Sequence, residues 1–368
     1  MHLLSHSSSH SSPHSSPHSW PHLAYCPPWN LQNGLAMTLY AALKMSQDWE
    51  THTHEPEPAY LPQIFTGAQS VPIFGKLAMP ENPRGTIIAT YGITGDLDNQ
   101  WFLKILGRKA YAQNYAVVLF DWRAHGKTAE LSPALTSDGL YEGEDFVRIA
   151  AGAKALGCPP PYWFAGYSLG AQLALWGVKA AQTVADWGAD LDLTAAELGG
   201  GAAICPSLES QRSLSYLDKS WVGRALDQAI TRQLKILAAR IAEWHPAAID
   251  LAAVERVHNI WTFDEELVIG KLGFDSVPAY YQASSPLYQL ASFQKPTLIL
   301  YAADDPMFDP TLVPDLQSAC AENPAIELVL TQQGGHVGYL SSAACQRQFK
   351  DADPWWAWNR VLEWINSR

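Results

Sequence analysis

Gly166-Tyr167-Ser168-Leu169-Gly170 stands directly after the apolar run Tyr162-Trp163-Phe164-Ala165 and directly before the helix-forming run Ala171-Gln172-Leu173-Ala174-Leu175-Trp176. Strand, sharp turn and helix follow one another without a spare residue. Such a turn needs glycines so that backbone segments can pack closely around it, and it lifts the serine hydroxyl clear of the sheet as a nucleophile elbow. G-x-S-x-G alone arises often by chance. The flanking strand and helix give this copy its weight.

Serine is a poor nucleophile at its own pKa and needs a base held in place by a carboxylate. Both residue types follow downstream. The apolar run Pro296-Thr297-Leu298-Ile299-Leu300-Tyr301 reads as a buried parallel strand and empties into Ala302-Ala303-Asp304-Asp305-Pro306. A second run, Ile326-Glu327-Leu328-Val329-Leu330, precedes Gly334-Gly335-His336-Val337-Gly338, whose small residues leave His336 room to reach the serine. Candidate catalytic residues are therefore Ser168, His336 and one of the two acids. Asp305 stands before Pro306-Met307-Phe308, the setting of the acid in the superfamily that the chain resembles, as set out below, and Asp304 is the loop-capping alternative.

Acyl transfer develops negative charge on a carbonyl oxygen, and preorganised N–H groups must receive it. The elbow supplies the amide of Leu169. The strand Thr86-Ile87-Ile88-Ala89-Thr90-Tyr91 runs into Gly92-Ile93-Thr94-Gly95, and the amide of Ile93 is the expected second donor of an oxyanion hole. His125, in Asp121-Trp122-Arg123-Ala124-His125-Gly126, is the tempting false lead. The resemblance set out below implies that the catalytic histidine follows the serine and the acid, as His336 does, and that this earlier loop makes structural polar contacts. No cofactor and no metal are called for.

Strands are expected at 64–66, 71–77, 86–91, 115–121, 162–167, 198–204, 297–301 and 326–330, the later ones alternating with helical stretches. Continuous apolar strands separated by helices predict an α/β fold with a mostly parallel sheet covered on both faces, its site outside the carboxyl ends of the strands. The interval 206–286 is too long for a connection. Within it, Val222, Leu226, Ile230, Leu234, Leu237 and Ile241 mark an amphipathic helix over Trp221 to His245. A stripe of this kind is ordinarily core, but an insertion over strand ends can also touch substrate, and the interval is read as a lid. Trp355, Trp356 and Trp358 have the spacing of a packed terminal helix.

Residues 1–25 are expected to form a disordered tail in which His2, His6, His10, His14, His18 and His22 recur every fourth position among serines and prolines. Adventitious zinc or nickel could bind there, but no catalytic part is assigned to it. Residues 26–368 then make one domain. A net charge of −12 with no basic stripe argues against a nucleic-acid partner. Five scattered cysteines without a C-x-x-C read as reduced, mostly buried thiols. No run approaches the ~18 apolar residues of a membrane span, and no secretory segment is legible. A cytoplasmic protein is expected, with peripheral membrane contact and oligomeric state left open.

Taken with the serine, acid, histidine order, these motifs resemble the YheT-like branch of the α/β-hydrolases, which includes plant embryogenesis-associated hydrolases and animal lipid-acting relatives. The resemblance runs from about Pro27 to Trp364. It is carried by Pro27-Pro28-Trp29 with Asn33-Gly34, Asp138-Gly139-Leu140-Tyr141 with Gly143-Glu144-Asp145, the elbow, Thr262-Phe263-Asp264 with Gly273-Phe274, Tyr280-Tyr281 with Ser285-Pro286, Asp304-Asp305-Pro306 and Gly335-His336-Val337-Gly338. Leu35 departs from the histidine often found after Asn-Gly, Tyr91-Gly92 from the superfamily's usual His-Gly, and the Asp121 to Gly126 loop from the branch's own version. The resemblance implies the α/β-hydrolase fold and a carboxylic ester hydrolase acting on short- to medium-chain acyl esters or lipids. The same three residues would also serve a thioesterase, an amidase or an acyltransferase, and a non-catalytic interaction protein on a hydrolase scaffold is the alternative of a different class.

Overall fold

A computed structural model describes residues 25–368. The expected histidine-rich tail lies outside the described residues, apart from Tyr25. Eight strands form one sheet: β1 (Leu61–Thr66), β2 (Pro72–Ala78), β3 (Thr86–Thr90), β4 (Ala116–Phe120), β5 (Tyr162–Tyr167), β6 (Leu198–Ile204), β7 (Thr297–Ala302) and β8 (Ile326–Thr331). Their spatial order is β1-β2-β4-β3-β5-β6-β7-β8. From β4 to β8 all neighbours are parallel, while β2 runs antiparallel to both β1 and β4. Chain length explains the antiparallel β1–β2 pair. Parallel neighbours need a crossover of a dozen residues or more, and only a short turn joins β1 to β2.

Every residue of β3, β4, β5 and β7 is buried. Helices Glu142–Ala155 and Leu169–Gln182 pack on each other over one face, and Trp101–Ala112 meets Trp356–Asn366 over the other. Trp355, Trp356, Trp358 and Trp364 are all buried there, with Trp163 and Trp364 in edge contact at 5.5 Å. Of the five cysteines, which are all free, only Cys26 is exposed.

Between β6 and β7 the chain builds its helical insertion, dominated by Trp221–Trp244. That helix buries Leu234, Ala238 and Ile241 in a second apolar cluster with Val254, Phe263 and Tyr281, and the cluster continues into Ala124, Ala129 and Leu135 of the body. The insertion is thus packed onto the body through shared core. Among the described residues no helix is long and apolar enough to cross a membrane, and no group of three or more His, Cys, Asp or Glu side chains is placed to hold a metal.

The sheet order also fixes where a site can form. After β3 the chain moves to one side to make β4, then returns to the other side to make β5, and the carboxyl ends of strands beside such a switch form a crevice. Thr90 of β3 lies opposite Gly166 of β5, so the segments leaving these strands emerge together. Two places along, β7 and β8 pair through Ala302 and Thr331, which brings the Asp304-Asp305 and His336 loops to the same edge.

Candidate active site

β5 ends at Tyr167, and Ser168 takes φ 55° and ψ −129° before the helix Leu169–Gln182 begins. A non-glycine residue pays for this conformation with strain, and the surroundings must over-determine it. They do so by close backbone contact. A Cβ on Gly166 would lie 2.2 Å from the Gly170 carbonyl oxygen, and one on Gly170 would lie 2.3 Å from the Tyr91 carbonyl oxygen. Glycines at both positions let the turn close against β3.

His336 reaches Ser168 from the loop after β8. Its Nε2 lies 2.8 Å from Ser168 Oγ, and its Nδ1 lies 2.9 Å from Asp305 Oδ2. A carboxylate only accepts, so Nδ1–H donates to Asp305 and Nε2 is left to accept the serine proton. Asp305 is buried, with its other oxygen accepting the Met307 amide at 2.8 Å. Asp304 turns away from the ring and accepts the Gly335 amide at 2.9 Å. Burial raises its carboxyl above the usual range. Of the two acids, the structure brings Asp305 to the imidazole and leaves Asp304 tying the loop.

A partner invisible in the local sequence also holds that loop. The His336 backbone N–H donates to Thr38 Oγ1 at 2.7 Å, and the Thr38 hydroxyl donates onward to the Gly34 carbonyl at 2.8 Å. Gly335 comes so near that a Cβ would stand 2.4 Å from the Gly34 oxygen. The helix Gly34–Tyr40, introduced by Asn33 as N-cap, thereby buttresses the histidine.

Gly92, at the end of β3, packs on the elbow: a Cβ there would lie 2.9 Å from Ser168 Cβ. Ile93 and Leu169 both line the same cavity as Ser168 and His336, and among the described residues neither amide donates to a protein acceptor. Two unengaged N–H groups beside a serine hydroxyl can receive charge developing on a carbonyl oxygen.

The cavity above these residues has a volume of about 550 Å³. Leu217, Ile230, Leu234, Ile241 and Phe263 of the insertion form much of its wall, so the amphipathic stripe is both core and cavity lining. The wall is polar at Asp138 and Asp264. Tyr281 donates its hydroxyl to Asp264 Oδ2. Burial, reinforced by Glu142 near Asp138 and by Asp138 near Asp264, holds both carboxyls well above their ordinary range. The signal for them was present as acids inside otherwise apolar motifs, Asp138-Gly139-Leu140 and Thr262-Phe263-Asp264, but nothing local says that the two meet.

Arg123 of the Asp121 to Gly126 loop forks onto Asp145 at 2.7 and 2.9 Å and donates to the Ala68 carbonyl at 2.8 Å. His125 is buried beside it and, among the described residues, hydrogen-bonds to neither Ser168 nor an acid. Its Nδ1 pairs with the Arg123 carbonyl and its Nε2 with the Thr94 amide, each at 3.0 Å.

A sequence model of the alpha/beta hydrolase family matches residues 95–346, more than half of the chain. The chain belongs to the alpha/beta hydrolase family. It is 52% identical over 349 residues to slr0264 of Synechocystis sp., a protein carrying an esterase name, covering 94% of this chain and 95% of that one. YheT of Escherichia coli, likewise given an esterase name, is 28% identical over 302 residues, 80% of this chain and 82% of its own. Among solved structures, the Pyrococcus furiosus esterase Pf2001 superposes with a TM-score of 0.51 at 16% identity, covering 93% of this chain and 98% of the other, a likeness of fold.

Proposed function

We propose that the protein is a serine hydrolase that cleaves carboxylic esters through an acyl-enzyme, with Ser168 as nucleophile, His336 as general base and acid, and Asp305 holding the imidazole. The unbroken hydrogen-bonded run from Ser168 through His336 to Asp305 beneath an apolar cavity carries this reading. The esterase names of the two relatives agree with it. Ser168 Oγ attacks the ester carbonyl carbon while its proton passes to His336 Nε2. The amides of Leu169 and Ile93 receive the developing oxyanion, the carbon–oxygen bond to the alcohol breaks, and the alcohol departs with the proton from His336. Water then gives a proton to His336, attacks the acyl carbon and releases the acid as Ser168 regains its proton.

The insertion over 206–286 acts as the lid of this site, and its apolar lining favours short- to medium-chain acyl esters or lipids. Each buried methylene contributes about 0.8 kcal/mol, roughly fourfold in binding, so kcat/KM should rise with chain length until the cavity is full. Purified protein should label at Ser168 with a fluorophosphonate, and Ser168→Ala should lose both labelling and turnover. Labelling that survives the substitution would overturn the assignment of the nucleophile. Esters of about two to about sixteen acyl carbons test the substrate class, and a kcat/KM that falls steadily from acetate would reject the longer acyl chains.

A further inference from the structure

The loop Gly92 to Leu97 is held in an unusual shape. Thr94 has φ 65°, a left-handed conformation that costs a β-branched residue more than most. Something must keep it there. Asp121 Oδ1 ties the two ends together, accepting the Tyr91 hydroxyl at 2.5 Å and the Leu97 amide at 2.9 Å. In the middle the only side-chain bond to the backbone at Thr94, among the described residues, comes from His125, whose Nε2 lies 3.0 Å from the Thr94 amide nitrogen.

An imidazole can accept that N–H only if Nε2 keeps its lone pair, and the structure arranges this twice over. Nδ1 faces the Arg123 carbonyl, an acceptor, so the ring proton sits on Nδ1. Burial pushes the group down to about 4, so the ring stays neutral at ordinary pH. The ring has no freedom to turn, because it stacks on Trp122 at 3.6 Å and meets the edge of Tyr91 at 6.3 Å.

We propose that His125 is a positioning residue for catalysis: by accepting the Thr94 amide it fixes the Gly92-Ile93-Thr94 backbone against Ser168 and so aims the Ile93 N–H at the developing oxyanion. The inference rests on the oxyanion role given to Ile93 above. His125 transfers no proton and touches no reacting atom. Its contribution exists only in the transition state, when the carbonyl oxygen becomes charged, so it belongs in kcat rather than in KM.

His125→Phe keeps a ring on Trp122 and removes the acceptor, whereas His125→Gln keeps an acceptor within reach of Thr94. For His125→Phe we expect kcat to fall roughly 10- to 100-fold, below the ~10²–10³ cost of deleting an oxyanion donor outright. KM should stay within about twofold, and the affinity of a boronic acid that forms a tetrahedral adduct on serine should weaken in parallel with kcat. His125→Gln should recover most of the loss. Full kcat in a folded His125→Phe enzyme would overturn the proposal, as would equal losses in the two variants, a loss confined to KM, or a His125→Phe enzyme as dead as His336→Ala. Should the Phe variant not fold, the Gln variant decides through its adduct affinity, which must stay near that of the unchanged enzyme. Survival of turnover in Ser168→Ala would instead defeat the hydrolase reading itself, a separate result.

Discussion

Asp304 and Asp305 differ by one place in the chain and by everything in their surroundings. Asp305 is buried against the imidazole, and Asp304 holds the amide of Gly335, one residue before the histidine. Asp305→Asn should therefore lower kcat by about 10⁴-fold, the loss that follows the corresponding change in serine proteases, because the amide can favour the wrong tautomer of His336. Asp304→Asn keeps an oxygen that can accept from Gly335, so its effect should be a loss of about 1 kcal/mol in stability with kcat within about tenfold. Measuring kcat and Tm for both variants settles the assignment, and a larger kcat loss in folded Asp304→Asn would reverse it. The doublet was legible as a doublet in the sequence. Which member faces the ring depends on how the turn after β7 leaves the sheet, and Pro306 with its apolar successors was the only local hint.

At the level of elements, the strands were readable because burial on both faces leaves an uninterrupted apolar run, and β5 and β6 lie at the expected residues. The start of β1 was missed by three residues. Pro62 argues against a strand, but β1 is an edge strand with Leu61 and Ile64 exposed, and an edge tolerates a residue with no N–H to give. Contacts between distant elements were not readable at all. Nothing near Thr38 announces that it accepts the amide of a histidine 298 residues away. The helix Gly34–Tyr40 also lies before residue 95, outside the part of the chain that the family match covers. Thr38→Val preserves shape and leaves the half-buried His336 N–H without its acceptor, a loss of about 1 kcal/mol. If His336 is the base proposed above, loosening it should also cut kcat severalfold, with KM little changed, and Thr38→Ser should restore both. Steady-state kinetics and thermal melting of the pair check this, and a Thr38→Val enzyme with unaltered kcat would make the helix a wall of the cavity and nothing more.

Across the whole molecule, buried titratable groups of opposite sign act on stability from the two ends of the pH scale. His125 is held below its ordinary value, so the unfolded chain takes up its proton first, and stability is lost as pH falls from about 6.5 toward 4. Asp138 and Asp264 behave in the reverse sense. Asp138 belongs to the body and Asp264 to the insertion, both carboxyls are buried in the cavity wall, and burial raises both, with Glu142 adding to the rise at Asp138 and Asp138 to the rise at Asp264. A carboxyl raised on folding gives stability that is complete below its unfolded value near 4 and is lost as pH rises through its folded value. Above that point two like charges face each other across the junction of insertion and body, opposed by shared apolar packing and by the bonds of His245 Nε2 to the Ala129 carbonyl and of Trp176 Nε1 to the Ser284 carbonyl. Asp264→Asn removes one charge while keeping an oxygen for the Tyr281 hydroxyl. Its Tm should therefore exceed that of the unchanged protein by a margin that widens from pH 5 to pH 8, each kcal/mol appearing as roughly 2 °C. Thermal melts of both proteins at the two pH values read the difference directly, and a margin that is constant or narrows toward pH 8 would mean that Asp264 stays neutral or finds a cation, and that the junction carries no charge strain.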